Sequence, residues 1–382
     1  MKFTGKNQYI FITIMLIILV VSVSCQTAPA RGWSGPAAVD GTIYTGTIAG
    51  KVAAYKGSNG DPEWQTTLPT PATSIGFGCG GPAPKAAIYS HPVSDGKSIF
   101  LGTYEGVFYA LDTTSGALRW QYPATGRGKA IIGSAAVYNG NVYFGSSDGY
   151  IYSLNANNGL LREKYLLGKK IWSTPTVVDD RLYIGSFDGK LYAFDLKKGL
   201  KEESLLWTFS SNGAITAGPL IANDTIYIGS FDSHLYALDK NSGRVKWSFK
   251  GSGWFWEAPV IKDNLLVAVN VKKDSEPDKN VYGINALTGQ KIWEFGTQGS
   301  VRASPVISGN TVIVASEDNN IYFLQADTGS QIRLIPMNSP VLSNMTVDAG
   351  FVYVHTREGL LSAIDIEKGT RVWEVSTYPK EK

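Results

Sequence analysis

The stretch YIGSFDSHLYALDKNSGRVKW at residues 227–247 decides the fold. Its first residues alternate as the end of a β-strand, Asp232 predicts a tight turn, and the residues that follow alternate again as a second strand. In the next turn the Asp239 carboxylate can accept backbone N–H groups, and Gly243 can adopt a positive φ. Trp247 then lies on a further strand, which offers nothing within its own segment to bury the indole.

This pattern recurs along the chain, with a near-copy, YIGSFDGKLYAFDLKKG, at residues 183–199. The shared elements are a small residue, an apolar residue, Asp or Asn, three variable positions, Gly, three further positions and Trp. Eight copies occur, with turn glycines at residues 60, 116, 159, 199, 243, 289, 329 and 369. A unit that repeats and cannot bury its own apolar face must stack on its copies.

Each repeat contains four short predicted strands, which in the fourth repeat span residues 174–178, 182–186, 190–195 and 205–209. Eight such repeats predict an all-β fold, an eight-bladed β-propeller of four-stranded antiparallel blades. No helix-period segment follows the N-terminal apolar run, which excludes α/β folds. The first and last repeats each have four strands of their own, so blade packing, or pairing of residues 27–32 with the eighth blade, is expected to close the ring.

Six repeats end in tryptophan, and we expect these indoles to pack between neighbouring blades as structural residues. They are Trp64, Trp120, Trp207, Trp247, Trp293 and Trp373. Trp207 is displaced from the pattern by four residues, and Glu163 and Arg333 replace the tryptophan in the third and seventh repeats.

The repeat resembles the quinoprotein, or PQQ-like, propeller repeat over residues 33–376. That resemblance implies a fold and leaves the function open. Quinoprotein dehydrogenases of this group hold PQQ, many have adjacent cysteines over the quinone, and they bind calcium through carboxylate and amide groups. This sequence has two cysteines, which are not adjacent, and no calcium set is evident. We therefore expect no cofactor and no metal.

The N-terminus predicts a lipoprotein signal, because Lys2 and Lys6 precede an apolar run that ends before Cys25. The segment VSVSC at 21–25 resembles the lipobox of bacterial lipoproteins, in which the cysteine is acylated, although Ser22 stands where Leu is commonest. Ordinary cleavage or an uncleaved anchor is the alternative. The predicted organisation is a signal peptide at 1–25, a tether at 26–32, the propeller at 33–377 and a tail at 378–382.

Net charge and cysteine content restrict the classes of binding partner and the possible disulfides. The whole chain carries a net charge of +3, and loss of the signal removes two lysines and no acidic residue. A nearly neutral chain lacks the electrostatic footprint of a nucleic-acid-binding protein, so no nucleic-acid partner is expected. With Cys25 acylated, Cys79 is the one thiol that remains, which leaves no intramolecular disulfide. The lipoprotein signal predicts an anchor outside the cytoplasm, and we expect the propeller to be monomeric.

One residue before each first strand is predicted to face the mouth of the central channel. The eight positions hold Trp33, Tyr89, Gly133, Trp172, Thr216, Trp256, Arg302 and Leu342. Aromatic anchors with an arginine at a concave surface are typical of recognition sites. The candidate ligand- or partner-binding residues are therefore Trp33, Tyr89, Trp172, Trp256 and Arg302. The alternative is that these side chains merely plug the channel.

The sequence offers no catalytic constellation. The three histidines, His91, His234 and His355, fall in different repeats and at different strand positions, which suggests neither a metal site nor a triad. Glu257 is the one carboxylate of the predicted mouth set, whereas glycoside hydrolysis needs two. The glycines lie in β-turns and precede no helix, unlike those of a phosphate-binding loop.

Two insertions depart from the repeat. Residues 66–87 form a Gly/Pro-rich segment around Cys79, and residues 271–280 form a charged extension. The first is a candidate lid or partner-binding loop and the second a candidate contact site. The simpler interpretations are a variable loop with an idle thiol and a solvated hairpin.

The chain resembles the BamB family of outer-membrane assembly lipoproteins more closely than it resembles the quinoprotein dehydrogenases. The shared features are the signal with a lipidated cysteine, the length of one propeller and eight blades. This resemblance implies a non-enzymatic scaffold that docks on a membrane protein or membrane-associated complex. Two alternatives stay open: a small-ligand or glycan receptor at the mouth, and a PQQ-dependent oxidoreductase.

Overall fold

The computed structural model describes residues 34–69, 86–271 and 280–377. Within these ranges 32 strands form eight four-stranded sheets. Each sheet contains four strands that are consecutive in the chain, and neighbouring strands pair antiparallel. The prediction of an eight-bladed propeller with four-stranded antiparallel blades is therefore confirmed.

The strands of the first four blades have the following bounds. Blade 1 contains β1 (Ala37–Val39), β2 (Thr42–Gly46), β3 (Lys51–Lys56) and β4 (Pro62–Thr67). Blade 2 contains β5 (Val93–Ser94), β6 (Ser98–Gly102), β7 (Phe108–Asp112) and β8 (Leu118–Tyr122). Blade 3 contains β9 (Ala136–Tyr138), β10 (Asn141–Gly145), β11 (Tyr150–Asn155) and β12 (Leu161–Leu166). Blade 4 contains β13 (Thr176–Val178), β14 (Arg181–Gly185), β15 (Lys190–Asp195) and β16 (Leu205–Ser210).

The remaining blades follow the same plan. Blade 5 contains β17 (Leu220–Ala222), β18 (Thr225–Gly229), β19 (His234–Asp239) and β20 (Val245–Lys250). Blade 6 contains β21 (Val260–Lys262), β22 (Leu265–Val269), β23 (Val281–Asn285) and β24 (Lys291–Phe295). Blade 7 contains β25 (Val306–Ser308), β26 (Thr311–Ala315), β27 (Asn320–Gln325) and β28 (Gln331–Pro336). Blade 8 contains β29 (Thr346–Asp348), β30 (Phe351–His355), β31 (Leu360–Asp365) and β32 (Thr370–Ser376).

Two details of blade 4 differ from the prediction. Its first strand begins at Thr176, two residues later than expected, directly after Pro175, which has no N–H to donate to a ladder. Two short 3₁₀ helices, Leu196–Lys198 and Glu202–Ser204, lie between its third and fourth strands. They take up the four-residue displacement and return Trp207 to the register of the other repeats.

That register explains the small residue of the repeat. Trp247 is the cross-strand partner of Ala237, and a bulge follows between Ala237 and Leu238. In blade 6 the partner of Trp293 is Gly283, where a Cβ would lie 2.1 Å from the indole. Facing side chains on paired strands are close neighbours, so a bulky residue opposite the indole would displace it.

The turns of residues 227–247 form as predicted. Asp239 Oδ1 accepts from the N–H groups of Asn241 and Ser242 at 3.1 and 2.9 Å, and Gly243 has a φ of 70°. In the preceding hairpin Asp232 accepts from the His234 N–H at 3.0 Å and from the Tyr236 hydroxyl at 2.7 Å. The equivalent aspartates of three other blades make the same two bonds: Asp148, Asp188 and Asp318.

The core is divided into eight apolar clusters, one at each junction between neighbouring blades. The junction of the first and last blades buries Ile43, Tyr55, Tyr353, Leu361 and Trp373. Since no strand of the eight sheets is exchanged between blades, packing of this kind closes the ring. The alternative pairing of residues 27–32 lies outside the described residues.

Each fourth strand also contacts the turn of the next blade. The Trp247 indole lies against Gly289, where a Cβ would be 2.6 Å from the ring, and its Nε1 donates to the Ala286 carbonyl at 2.9 Å. Equivalent Nε1 bonds to a carbonyl of the next blade come from Trp64, Trp120, Trp293 and Trp373. The Trp207 indole lies against Gly243 in the same way, but its buried Nε1 has no hydrogen-bond partner among the described residues.

The two substitutions in the repeat keep this contact by polar means. Glu163 Oε2 accepts from the Leu200 N–H at 2.6 Å, and Arg333 donates to the Glu367 carbonyl at 3.3 Å. All eight fourth strands therefore reach the following blade at the same register position.

Candidate functional site

The segment that enters each blade carries one predicted mouth residue. In the first blade the hydroxyl of Ser34 accepts from the Gly46 N–H at 3.3 Å, and in the fourth blade Ser173 accepts from the Gly185 N–H at 3.1 Å. Each serine thereby fixes the segment before the first strand to the end of the second. The predicted mouth residue directly precedes this serine, so the same hydrogen bond fixes its position in the chain relative to the blade.

A cavity of about 370 Å³ lies at the predicted mouth. Seven of the eight predicted mouth positions line it, one from each of blades 2 to 8: Tyr89, Gly133, Trp172, Thr216, Trp256, Arg302 and Leu342. The eighth, Trp33, lies outside the described residues. The lining also includes His91, Tyr104, Glu257 and Asn344. Of these four, only Glu257 belonged to the predicted mouth set, and none was a binding candidate.

A continuous group of aromatic rings borders one side of the cavity. We call Trp172, Phe187, Phe231, Trp254 and Trp256 the aromatic patch. The Trp172 ring lies 4.7 Å from Phe187 and 6.2 Å from Trp256, measured between ring centroids. Phe231 stacks on Trp256 at 4.9 Å and on Trp254 at 5.2 Å. Trp254 is 41% exposed and the other four rings are partly buried, so the patch reaches solvent mainly through Trp254.

Phe187 and Phe231 belong to the turn between the second and third strands of their blades. Sequence reasoning missed them because it treated this turn as structural throughout. The signal was present in the repeats, since the same position holds Ser147, Glu317 and Arg357 in other blades. The turn does not require one residue type at a position that varies so widely, so the side chain there can contribute to a binding surface.

An ion pair borders the mouth at blade 7. Arg302 Nε lies 2.5 Å from Glu317 Oε1, and both side chains are about one-third exposed. Arg302 precedes the first strand of blade 7, and Glu317 occupies the turn position that holds phenylalanine in blades 4 and 5. The charge of Arg302 is thus matched within its own blade.

Glu257 is the one carboxylate among the described lining residues. The Ser304 hydroxyl donates to its Oε2 at 3.2 Å, and the Asn344 side chain is a second hydrogen-bond partner. Burial raises the pKa of Glu257 to about 7, and these two bonds offset part of the rise. The carboxyl group therefore changes its charge near neutral pH.

Two further titratable groups of the lining stay neutral at neutral pH. Burial lowers the pKa of His91 to about 4. Burial also raises the pKa of Tyr89 to about 12, and the Tyr89 ring lies 5.5 Å from that of Tyr104. His91 is consequently an uncharged part of the cavity wall, not a base poised near pH 7.

The other two histidines are not among the lining residues. His234 begins the third strand of blade 5, and His355 ends the second strand of blade 8, where it contacts blade 1. Over residues 34–69, 86–271 and 280–377 no group of three or more His, Cys, Asp or Glu side chains could hold a metal ion.

The described lining does not fit PQQ. The quinone carries three carboxylate groups, and a calcium ion beside it needs several oxygen ligands. The cavity offers Arg302 as its one cationic side chain, already paired with Glu317, and Glu257 as its one carboxylate. We derive no chemistry through this cofactor.

Several predicted features lie outside the described residues. They are Cys25 with the rest of the signal, the tether, most of both insertions (residues 70–85 and 272–279), Cys79 and the C-terminal tail. In the part of the chain that the structure describes, no helix is long and apolar enough to cross a membrane.

Solved structures with the same fold come from proteins of different kinds. BamB from Moraxella catarrhalis superposes with a TM-score of 0.69 at 20% identity, covering 86% of this chain and 93% of that one. The computationally designed Ika8 protein gives 0.69 at 17% identity, covering 86% and 95%. Quinohemoprotein alcohol dehydrogenase from Comamonas testosteroni gives 0.67 at 14% identity, covering 87% and 70%. At these identities the likeness shows the fold alone.

The sequence itself gives a more specific assignment. No curated protein matches it. A family model, PQQ_2, matches residues 22–204, 198–299 and 277–382, which together span nearly the whole chain. The protein therefore belongs to the PQQ_2 family, which is described as outer membrane protein assembly factor BamB.

Proposed function

We propose that this protein is a non-enzymatic scaffold outside the cytoplasm, anchored to a membrane through Cys25, and that it binds a protein partner during outer-membrane protein assembly. The aromatic patch carries this proposal. Solvent-accessible aromatic clusters are common at protein-binding surfaces, and tryptophan is enriched among the residues that contribute most to binding. Family membership supplies the assembly context.

The predicted anchor agrees with a partner at the membrane. Residues 26–32 form the tether between an acylated Cys25 and the first blade. Seven residues reach at most roughly 25 Å when fully extended. The propeller is therefore held close to the lipid surface, where a membrane protein or membrane-associated complex is within reach.

The two faces of the ring provide an internal control. In an antiparallel blade, the turns between strands two and three lie on one face, and the turns between strands three and four lie on the other. Trp254 and Phe231 lie on the first face, beside the cavity. Leu287, which is 69% exposed in the turn after β23, lies on the second.

Site-specific photo-crosslinking in intact cells tests the proposal. A crosslinker at Trp254 should capture one discrete partner from the membrane fraction, and the same crosslinker at Leu287 should capture it far less. The double substitution Phe231→Ala and Trp256→Ala, monitored with a crosslinker at Trp254, should abolish the product. Equal capture from both faces, or no partner above background, would reject the scaffold.

A PQQ-dependent oxidoreductase has less support, because the described lining supplies neither the cations nor the calcium ligands that this cofactor requires. The decisive assay adds PQQ, calcium and an artificial electron acceptor to the purified protein. Oxidation of an alcohol or a sugar under these conditions would contradict the non-enzymatic assignment.

A further inference from the structure

The cavity contains one charge that no described neighbour matches. Arg302 is paired with Glu317 at 2.5 Å, whereas Glu257 is surrounded by two neutral hydrogen-bond partners, Ser304 and Asn344. No ion pair joins Glu257 to a basic side chain within the described ranges. An ionised carboxylate in such a place is stabilised by any cation that enters.

Aromatic rings complete the same cavity. Tyr89, Tyr104, Trp172 and Trp256 line it together with Glu257. The face of an aromatic ring attracts cations, most strongly for tryptophan, and several rings around one carboxylate form the kind of cage that recognises substituted ammonium groups. Apolar carbon atoms of a ligand would at the same time be removed from water against these rings.

We propose that this cavity binds an organic cation of the alkylammonium class, with its charged head beside Glu257 and its methyl or methylene groups against Trp172, Trp256 and Tyr89. The cavity of about 370 Å³ falls in the range of small-molecule sites, roughly 300–1,000 Å³. The ammonium group has two sources, a free small molecule or a lysine side chain of a bound partner. A free cation would make the site independent of the scaffold function, whereas the lysine of a partner rests on that function.

The charge of the cavity predicts how binding depends on pH. The titratable lining groups are Tyr89, His91, Tyr104, Glu257 and Arg302. Burial holds the pKa of His91 at about 4 and that of Tyr89 at about 12, whereas the pKa of Glu257 is about 7. The ionised fraction of Glu257 therefore rises roughly tenfold from pH 6 to pH 8. Affinity for a cation should rise by about the same factor.

Choline is a suitable probe because its positive charge does not change with pH, so any pH dependence comes from the protein. Its neutral isostere, 3,3-dimethylbutan-1-ol, has the same shape without the charge. We expect choline to quench or shift the tryptophan fluorescence of the purified protein and to give a measurable Kd by titration. The alcohol should bind at least tenfold more weakly, and the choline Kd at pH 6 should be about tenfold that at pH 8.

Variants separate the carboxylate from the rings. Glu257→Gln keeps the shape of the side chain and should weaken choline binding at least tenfold while removing the pH dependence. Glu203→Gln, an exposed glutamate between β15 and β16, makes the same change in net charge and should leave the Kd unchanged. Trp256→Leu should weaken binding about fivefold or more. Circular dichroism and thermal unfolding verify that each variant is folded.

A second ligand distinguishes the sources of the cation. Nα-acetyl-lysinamide that binds at least tenfold tighter than choline assigns the site to a lysine side chain of a partner, and the reverse order assigns it to a free cation. The proposal is overturned if choline does not bind, if the alcohol binds equally well, or if Glu257→Gln retains wild-type affinity. The crosslinking test can fail separately, because its probe is at Trp254, which does not line the cavity.

Discussion

The imidazole Nδ1 of His355, in the last blade, lies 2.9 Å from the carbonyl oxygen of Ser34, at the start of the first blade. A carbonyl can only accept, so Nδ1 carries the proton and Nε2 is left as the acceptor, 3.1 Å from the Thr377 hydroxyl. The ring also contacts the Thr45 hydroxyl at 3.1 Å. One buried side chain thus joins both ends of the described chain at the closing junction.

Removing this imidazole should weaken the ring closure. We expect His355→Ala to lower the free energy of unfolding by ~2–4 kcal/mol, because it leaves a cavity and removes the hydrogen-bond partner of several buried polar groups. Urea unfolding followed by tryptophan fluorescence measures the change. His234→Ala, at a partly exposed turn of blade 5, is the matched control and should cost less than ~1 kcal/mol. Equal losses would show that His355 has no special role at the junction.

The same residue predicts an acid sensitivity. Burial lowers the pKa of His355 below its usual value of 6.5. The unfolded chain therefore takes up this proton first, and the stabilisation is complete above pH 6.5 and lost as the pH falls from there towards the folded-state pKa. His355→Gln, which cannot be protonated, should show a shallower fall in the urea midpoint between pH 6.5 and pH 5. Parallel curves for the two proteins would contradict the assignment.

Glu257 should act in the opposite sense. Its pKa is raised from 4.5 to about 7, so the folded protein holds this proton more tightly than the unfolded chain and loses stability as the pH rises between these two values. Glu257→Gln removes the effect. Relative to the wild type, the variant should gain ~1–3 kcal/mol between pH 4.5 and pH 8. Denaturant midpoints at both pH values measure this gain, and Glu203→Gln should show none.

The packing of the turn glycines can be tested with a matched pair. Gly289 and Gly41 both have positive φ, 73° and 78°, but a Cβ at Gly289 would lie 2.6 Å from Trp247, whereas a Cβ at Gly41 would meet nothing within 4 Å. Gly41→Ala should therefore cost ~1–2 kcal/mol for its backbone conformation alone. Gly289→Ala should cost a further ~1–3 kcal/mol from overpacking. Similar losses in thermal or urea unfolding would argue against the indole contact.

The unsatisfied indole of Trp207 gives a further contrast. Trp247→Phe removes a hydrogen bond of 2.9 Å to the Ala286 carbonyl, whereas Trp207→Phe removes a buried donor that has no partner among the described residues. Both changes delete a similar volume. Trp247→Phe should therefore be the more destabilising by ~1–2 kcal/mol. Urea unfolding of the two single variants measures the difference. The reverse order of stabilities would mean that the Trp207 indole has a hydrogen-bond partner in solution.

The fold was predictable because residues with the same packing roles recur in eight repeats. The small residue, the turn aspartate, the glycine and the tryptophan each reappear at one register position, and each has one physical role there. Even the exceptions obey the pattern, since Glu163 and Arg333 occupy the register position of the tryptophan. The displacement of Trp207 affected only the connection between the third and fourth strands of blade 4, which contains two 3₁₀ helices in place of a short loop.

The site was predictable only in part. The alignment of the entering strands identified Tyr89, Trp172, Trp256 and Arg302, which the fold brings to one cavity. It did not include Phe187 and Phe231, whose variable turn position was a signal that they face the surface, although their contacts with Trp172 and Trp256 depend on how adjacent blades pack. The role of His355 was equally hidden, since its partners lie about 20 and more than 300 residues away in the chain. Contacts across the junction of the first and last blades are not visible in any local sequence pattern.

Since each blade is formed by four consecutive strands, the order in which the blades follow one another in the chain could be changed by circular permutation. Because no sheet borrows a strand from another, every connection between blades is an equivalent place to begin and end the molecule, and Ser34 and Thr377 already meet at one histidine. A short peptide could join the two ends while a new opening is made between any other pair of blades. Circularly permuted versions should then assemble the same toroid, with the order of synthesis uncoupled from the architecture.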